Sequence, residues 1–253
     1  MKDEFKRRMY DDLVWTWPLI SHPASTEREA RLLSEFIKGR AVGPVETLLH
    51  LGSGGGHMDF TLKEQFQVTG VDLSEGMAGH ARTLNPEAEY LIGDMRDVRL
   101  GRTFDAVTIL DSITYMISEA ELKAAFETAW AHLRPGGVFL TYAETTKEGY
   151  VNHETYIHTG EKGNTSVTIV EVDYDPDPDD TTVEYTVVYL IRRDDKLTIE
   201  TERHIQGLFP LEVWPRTLES VGFDVEQRAF KYSSEWADIE YPLFLCRKPM
   251  TDQ

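Results

Sequence analysis

Ten residues constrain this chain most: Leu48 to His57, LLHLGSGGGH, a short apolar run that breaks into a cluster of glycines. Three leucines in four positions suit a buried strand, and Gly52, Gly54, Gly55 and Gly56 let the backbone turn sharply and come close to a ligand. A nucleotide-type ligand fits such a turn. The spacing is G-x-G-x-G followed by His57, whereas a dinucleotide fold uses G-x-G-x-x-G, so the third glycine of that pattern is absent. A glycine-rich turn after a strand is also a common structural device, and the loop alone does not separate the two.

The residues that follow favour the ligand. Val68 to Asp72, VTGVD, is a second apolar strand ending in an acid, at the place where strand-end carboxylates accept hydrogen bonds from ribose hydroxyls. Tyr90 to Asp97, YLIGDMRD, and Phe104 to Asp111, FDAVTILD, repeat the design of a strand with acids near its carboxyl end. Three strand ends then converge on one side of a parallel sheet, where such sheets bind ligands. Pro135-Gly136-Gly137 is a turn feeding a further strand, Val138 to Tyr142.

At 253 residues the chain can bury a substantial core, as one domain with an elaboration or as one and a half domains. No stretch has the apolar length of a signal peptide or a membrane helix, so a cytoplasmic location away from membranes is expected. The single Cys246 sits in PLFLC and reads as a buried structural thiol; no Cys/His cluster has zinc spacing, and no metal is expected. The formal net charge of −18 argues against nucleic acid, whose phosphates need clustered Lys and Arg. A small-molecule acceptor is favoured.

Lys2 to Trp17 reads as a helix, with Phe5, Met9, Leu13 and Trp17 in one stripe. Ser25-Thr26-Glu27 is placed to cap a second helix reaching about Lys38, with Ala30, Leu33 and Ile37 on one face. Further helices are expected over Met58–Gln65, from Ser74 through Arg82, and over Glu119–Leu133. Beyond Glu144 the period changes to two: Val167–Tyr174, Thr182–Ile191 and Leu197–Ile205 alternate apolar and polar residues, joined by DPDPDD (175–180) and Asp194-Asp195. DPDPDD lacks the glycine and distal glutamate of an EF-hand loop and reads as a solvated turn. After His204 the chain returns to helix through Leu211, Trp214, Leu218 and Val221. A final strand pair follows, Phe223–Phe230 and Tyr241–Cys246.

Taken in order, GSGGG, VDLSEGM, GDMRD, the strand ending in Asp111, and LRPGGVFL resemble the motifs of class I S-adenosylmethionine-dependent methyltransferases. The run LSEGMAGHAR, then GDMRDVRLGRTFDAV and the strand-rich insertion are similar to bacterial N-methyltransferases of nucleotide-linked amino sugars. The resemblance implies an α/β fold, a Rossmann-like, mostly parallel seven-stranded sheet with an antiparallel final strand pair and a small inserted antiparallel β-sheet. It implies a helical cap over 1–40, a methyltransferase domain over 41–145 and 204–253, and the insertion over 146–203.

It also implies S-adenosylmethionine as cofactor, held by Gly52, Ser53, Gly54, Gly56, Asp72, Leu73, Asp94, Met95 and Asp111, with the ribose at Asp72 and the adenine at Asp94 and Met95. Arg96 and Asp97 would tie their loop together. The amino-terminal segment would cover the cofactor, Tyr10 would face the acceptor, and Trp17, Ser112 and Tyr115 would wall it. Tyr10 and His204 are the candidate catalytic residues, able to take a proton from an amine. The family usually carries an acid, supporting the cofactor's ammonium end, where this chain has His50, which leaves two readings: a histidine making a different hydrogen bond inside a working site, or weakened or altered cofactor binding. Asp111 stands where an apolar residue is common, as a turn cap or as a contact for an acceptor amine. The acceptor implied is a small amine, plausibly sugar-like, and the inserted sheet could join two copies into a homodimer. Two other readings stand beside these: a non-catalytic S-adenosylmethionine-binding protein that keeps the fold, and a nucleotide-cofactor oxidoreductase, disfavoured by the missing glycine.

Overall fold

The computed structural model describes residues 7–233 and 238–250; Phe5 and the start of the expected first helix lie outside them. In chain order the elements are α1 (Trp17–Ile20), α2 (Glu27–Arg40), β1 (Thr47–Leu51), α3 (His57–Leu62), β2 (Gln67–Asp72), α4 (Glu75–Leu84), β3 (Glu89–Ile92), β4 (Phe104–Ile109), α5 (Glu119–His132) and β5 (Leu133–Tyr142). There follow β6 (Thr155–Lys162), β7 (Thr165–Tyr174), β8 (Thr182–Arg193), β9 (Lys196–Gly207), α6 (Val213–Val221), β10 (Asp224–Ser233) and β11 (Asp238–Arg247). The first sheet has seven strands in the order 10-11-5-4-1-2-3, all running in one direction except β11, which is antiparallel to its neighbours β10 and β5. The second is an antiparallel meander of four, 6-7-8-9.

The apolar run of β1 follows from burial on both faces, as parallel sheets require. Leu49 and Leu51 pack with Val107 and Ile109 of β4 against Phe126 of α5 and Trp214 and Leu218 of α6. Leu48 packs with Ala106, Val138 and Leu140 against Leu33 and Ile37 of α2 on the other face. Ser74 caps α4 by accepting the Met77 N–H at 3.0 Å, and Ser118 caps α5 by accepting that of Glu121 at 3.3 Å. Thr26 stands at the start of α2, but its hydroxyl donates to the Pro23 and His57 carbonyls instead of capping the helix. α3 is shorter than expected and stops at Leu62.

Two expectations need correction. The described part of Lys2–Trp17 is no continuous helix: it makes two short 3₁₀ turns, Arg8–Tyr10 and Val14–Thr16, before α1. The backbone groups a helix would use internally are spent on other elements. The Met9 N–H donates to Glu202 at 3.1 Å, and the Tyr10 carbonyl accepts from the Ser74 hydroxyl. Met9 and Leu13 still bury, against Val167, Ile169, Val187, Tyr189 and Ile191 of the second sheet. That sheet, in turn, has four strands, not three, and runs to Gly207, so His204 lies inside β9, opposite Tyr185. β6 escaped detection because it is an edge strand exposed along nearly its whole length, which removes the apolar alternation.

Candidate active site

A cavity of about 670 Å³ opens at the carboxyl ends of β1, β2 and β4, roofed by the amino-terminal segment. Its volume is in the range of small-molecule sites. Of the residues singled out above, Tyr10, Trp17, Gly52, Ser53, Gly54, Asp72, Leu73, Asp94, Met95, Asp111, Ser112 and Tyr115 line it. Gly56 does not: it holds φ +77° at the start of α3 and packs against Asn85, Ala81 and Tyr90. His204 stands one residue behind the wall and is buried.

The glycine-loop end is shaped by backbone. Gly52 and Ser53 donate their N–H groups to the Val71 carbonyl at 2.7 and 3.1 Å, folding the loop back on β2. Gly54 N–H donates to one oxygen of Asp72 at 2.7 Å and Ser74 N–H to the other at 2.8 Å. Burial raises the Asp72 pKa, against the pull of those two N–H groups. Each oxygen keeps a further lone pair for hydroxyl donors. A Cβ on Gly54 would meet nothing within 4 Å, so its side of the loop is open space. Asp94 is gripped by the Arg96 guanidinium at 2.6 and 3.0 Å, which holds its carboxyl below the usual range, and Arg96 reaches on to Glu121 at 2.6 Å.

Trp17 closes this end. Its ring stacks on His57, centroids 5.9 Å apart, and its buried Nε1 has no hydrogen-bond partner among the described residues. The Ser21 hydroxyl is 2.8 Å from His57 Nδ1. Burial, then His22 and His80, lower the His57 pKa to about 4, so its ring is neutral at physiological pH. An open glycine cradle, a fixed strand-end carboxylate and an unused indole N–H together fit an adenosine-bearing ligand.

The opposite end is a chain of side chains. The Tyr10 and Tyr115 hydroxyls are 2.8 Å apart, and Tyr115 Oη is 2.8 Å from His204 Nδ1. His204 Nε2 lies 2.8 Å from Glu202 Oε2, off the line of a good hydrogen bond. Glu202 also accepts the Tyr189 hydroxyl; burial would raise its pKa, but the His204 and Tyr189 contacts outweigh this and lower it. Burial drives the Tyr10 pKa far up and that of Tyr115 to about 12, so both hydroxyls are protonated. Below them Asp111 accepts the Tyr142 hydroxyl and neighbours Glu144, whose pKa is pushed to about 8 by loss of solvation, then by Asp111 and Glu29.

Gly55 of the glycine loop lines the cavity as well, and so do residues not anticipated from sequence, among them Arg7, His57, Glu144 and Gln206. The rule that picked out Asp72 and Asp111 would have found Glu144, which follows β5 as they follow β2 and β4. Glu202 had a weaker signal, an acid two residues before His204 on the same face of a strand.

Residues 48–137 match the family model described as a methyltransferase domain. The chain is 35% identical over 206 residues to the dTDP-3-amino-3,6-dideoxy-alpha-D-glucopyranose N,N-dimethyltransferase of Streptomyces fradiae, covering 79% of this chain and 78% of that protein. The fold is that of the DesVI protein of Streptomyces venezuelae, with TM-score 0.77, 24% identity and coverage of 94% and 96% of the two chains. It is equally that of the sugar N-methyltransferase KedS8 from Streptoalloteichus, with TM-score 0.78, 22% identity and coverage of 95% and 92%. By sequence similarity over most of its length, supported by that fold, the chain belongs to the class I S-adenosylmethionine-dependent methyltransferases, in the branch that contains the N-methyltransferases of nucleotide-linked amino sugars.

Proposed function

We propose that this enzyme methylates the amine of a small, sugar-like acceptor held between Tyr10, Ser112 and Tyr115, with Asp111 and Glu144 beneath it. S-adenosylmethionine supplies an activated methyl group for in-line displacement, so the protein's task is alignment and exclusion of water. Asp72 would hold the ribose through its free lone pairs. Met95 and Asp94 would meet the adenine, and because Asp94 is shared with Arg96, Met95 would supply the backbone contact.

The observation that carries this reading is the run of hydrogen bonds from the cavity inward, Tyr10 to Tyr115 to His204. An acceptor that arrives as an ammonium must lose a proton before its nitrogen can attack, and neither tyrosine can supply a phenolate. Tyr10 instead takes the proton as it passes its own to Tyr115, and His204 Nδ1 is the terminal acceptor, in the tautomer whose Nε2 proton faces Glu202. The wall carries Asp72, Asp94 and Asp111 against Arg7 and Arg96, with Arg96 engaged by Asp94 and Glu121, which favours a cationic over an anionic acceptor.

Division of labour would follow the two sheets, the parallel one holding cofactor and the meander with the amino-terminal segment enclosing acceptor. The outer face of the meander presents Ile157 and Ile199, 65% and 59% exposed, in rows with Val170, Val188 and Leu190, and would pair two copies. A cytoplasmic location fits a lone buried cysteine. Methyl-labelled S-adenosylmethionine offered with free amino sugars, nucleotide-linked amino sugars, amino acids and phenols tests the acceptor. Label on an amine nitrogen is expected; label confined to phenols or carboxylates would overturn the amine.

A further inference from the structure

His50 belongs to neither group of residues described so far. It lies on β1 between Gly70 of β2 and Thr108 of β4, only 3% exposed, yet it forms part of the cavity wall beside Gly52. Its Nδ1 is 2.6 Å from Asp59 Oδ1, on α3. Asp59 is fully buried, and its other oxygen accepts the Tyr90 hydroxyl at 3.0 Å. Tyr90 in turn accepts from Asn85 Nδ2 at 2.9 Å, and the same amide donates to the Gly56 carbonyl at 2.9 Å. Asp59 therefore cannot swing into the cavity. With Nδ1 committed to it, the imidazole meets the cavity through Nε2.

Among the described residues the charged groups that act most on His50 are carboxylates: Asp59 from α3, Asp111 from the turn after β4 and Asp72 from the end of β2, with Glu144 next to Asp111. Burial alone would lower the His50 pKa; Asp59, and then Asp111 and Asp72, outweigh it and raise it. The free pocket thus sets the His50 imidazole among three acids, which favour its protonated form. A ligand carboxylate brought to it would also meet those acids, whereas a ligand cation could take over the charge of the His50 proton.

We infer that the His50–Asp59 pair is a proton-exchanging receptor for the ammonium group at the amino-acid end of S-adenosylmethionine, an inference that rests on the cofactor reading above. On binding, His50 gives its Nε2 proton to solvent and offers the Nε2 lone pair to the ammonium, while Nδ1–H stays on Asp59. The ammonium keeps its three protons, one proton leaves the protein, and no covalent bond between heavy atoms changes. Asp59 supplies the negative charge from behind, through the ring. Affinity must then rise with pH up to the His50 pKa of the free protein and level off above it, by about tenfold per pH unit on the rising limb.

Calorimetry of the full chain with S-adenosylhomocysteine, in two buffers of different ionisation enthalpy from about pH 6 to about pH 8.5, tests this around the ordinary histidine range. The wild type should release about one proton on the rising limb. His50→Gln should release none there, and the ligand's own titration, common to both proteins, cancels in the difference. Asp59→Asn should move the step to lower pH by about one unit or more, because the main charge that raises the pKa is gone. Circular dichroism establishes that each variant is folded; if His50→Gln is not, the wild-type proton count and the Asp59→Asn shift still decide. Wild-type binding without proton release, or the same release from folded His50→Gln, would overturn the pair's role and leave the cofactor reading intact. Failure of the wild type to bind S-adenosylhomocysteine at any pH would overturn both.

Discussion

The two ends of the cavity are built by different means. At the glycine loop the working groups are main-chain atoms and one carboxylate they immobilise, all within residues 52 to 74. At the far end they are side chains that meet only in the fold: Tyr10 and Tyr115 stand 105 residues apart, and Tyr115 and His204 a further 89. Backbone geometry suits a ligand that never varies, because it depends on little besides glycine. A chain of hydroxyl and imidazole groups can be rewired one side chain at a time, and on the proposed function acceptor choice would lie at the far end.

The sharpest way to break that contrast is Gly52→Ala. A Cβ there would fall 1.9 Å from Ser112 Oγ and 2.9 Å from Met95 Cε, at a backbone φ of +72° that side chains disfavour. Strain and overpacking together should cost about 2 to 6 kcal/mol of stability. Thermal melting and calorimetry should show a lowered Tm and no measurable cofactor binding. A variant that melts and binds like the wild type would mean that the loop is not backbone-defined.

Tyr115→Phe probes the other end, since it deletes the oxygen shared by Tyr10 and His204. Two lost hydrogen bonds at about 0.5 to 1.5 kcal/mol each predict a turnover roughly five- to hundredfold lower. Cofactor affinity should stay within about twofold, and an equal loss of both would show that the ends are not separable. The smallest effect is expected from Gly160→Ala, whose new methyl would sit 1.8 Å from the Leu19 carbonyl oxygen. Displacing α1 from β6 should cost about 1 to 3 kcal/mol locally. Hydrogen exchange should quicken between Met9 and Ser21 while the glycine loop keeps its protection.

The same contrast explains what could be read from the sequence. Strands β1, β2 and β4 are apolar on both faces and end in marked residues, so their order and the places of Asp72, Asp94 and Asp111 were legible. Asx turns kept DPDPDD legible too: Asp175 and Asp177 each accept the N–H two residues on, at 3.0 and 3.1 Å. The amino-terminal segment misled because its four-residue stripe is real, yet Met9 and Leu13 bury against another sheet whose Glu202 takes the Met9 N–H. Local periodicity cannot report a donor bound 193 residues away. His204 could be suspected, and Glu202 stands two residues before it on the same face of β9, but Tyr115 could not be foreseen, because only tertiary folding brings it to Nδ1.

Glu202 and Glu200 carry one further consequence. Through the Met9 N–H and the Arg8 guanidinium, which reaches Glu200 at 2.8 Å, the segment bearing Tyr10 is moored to β9. It also meets the parallel sheet's side, through the Ser74 hydroxyl, the Tyr10–Tyr115 hydroxyls, the Trp17–His57 stack and the contact of Val14 with Gly76. The backbone that carries Tyr10 is therefore fixed in part by the meander, through the residues just before it. For anyone recombining such enzymes, the unit of exchange is discontinuous: the first two dozen residues and the four-stranded insertion must be grafted together. A chimaera that takes the insertion alone would seat a foreign Tyr10 on a mismatched mooring.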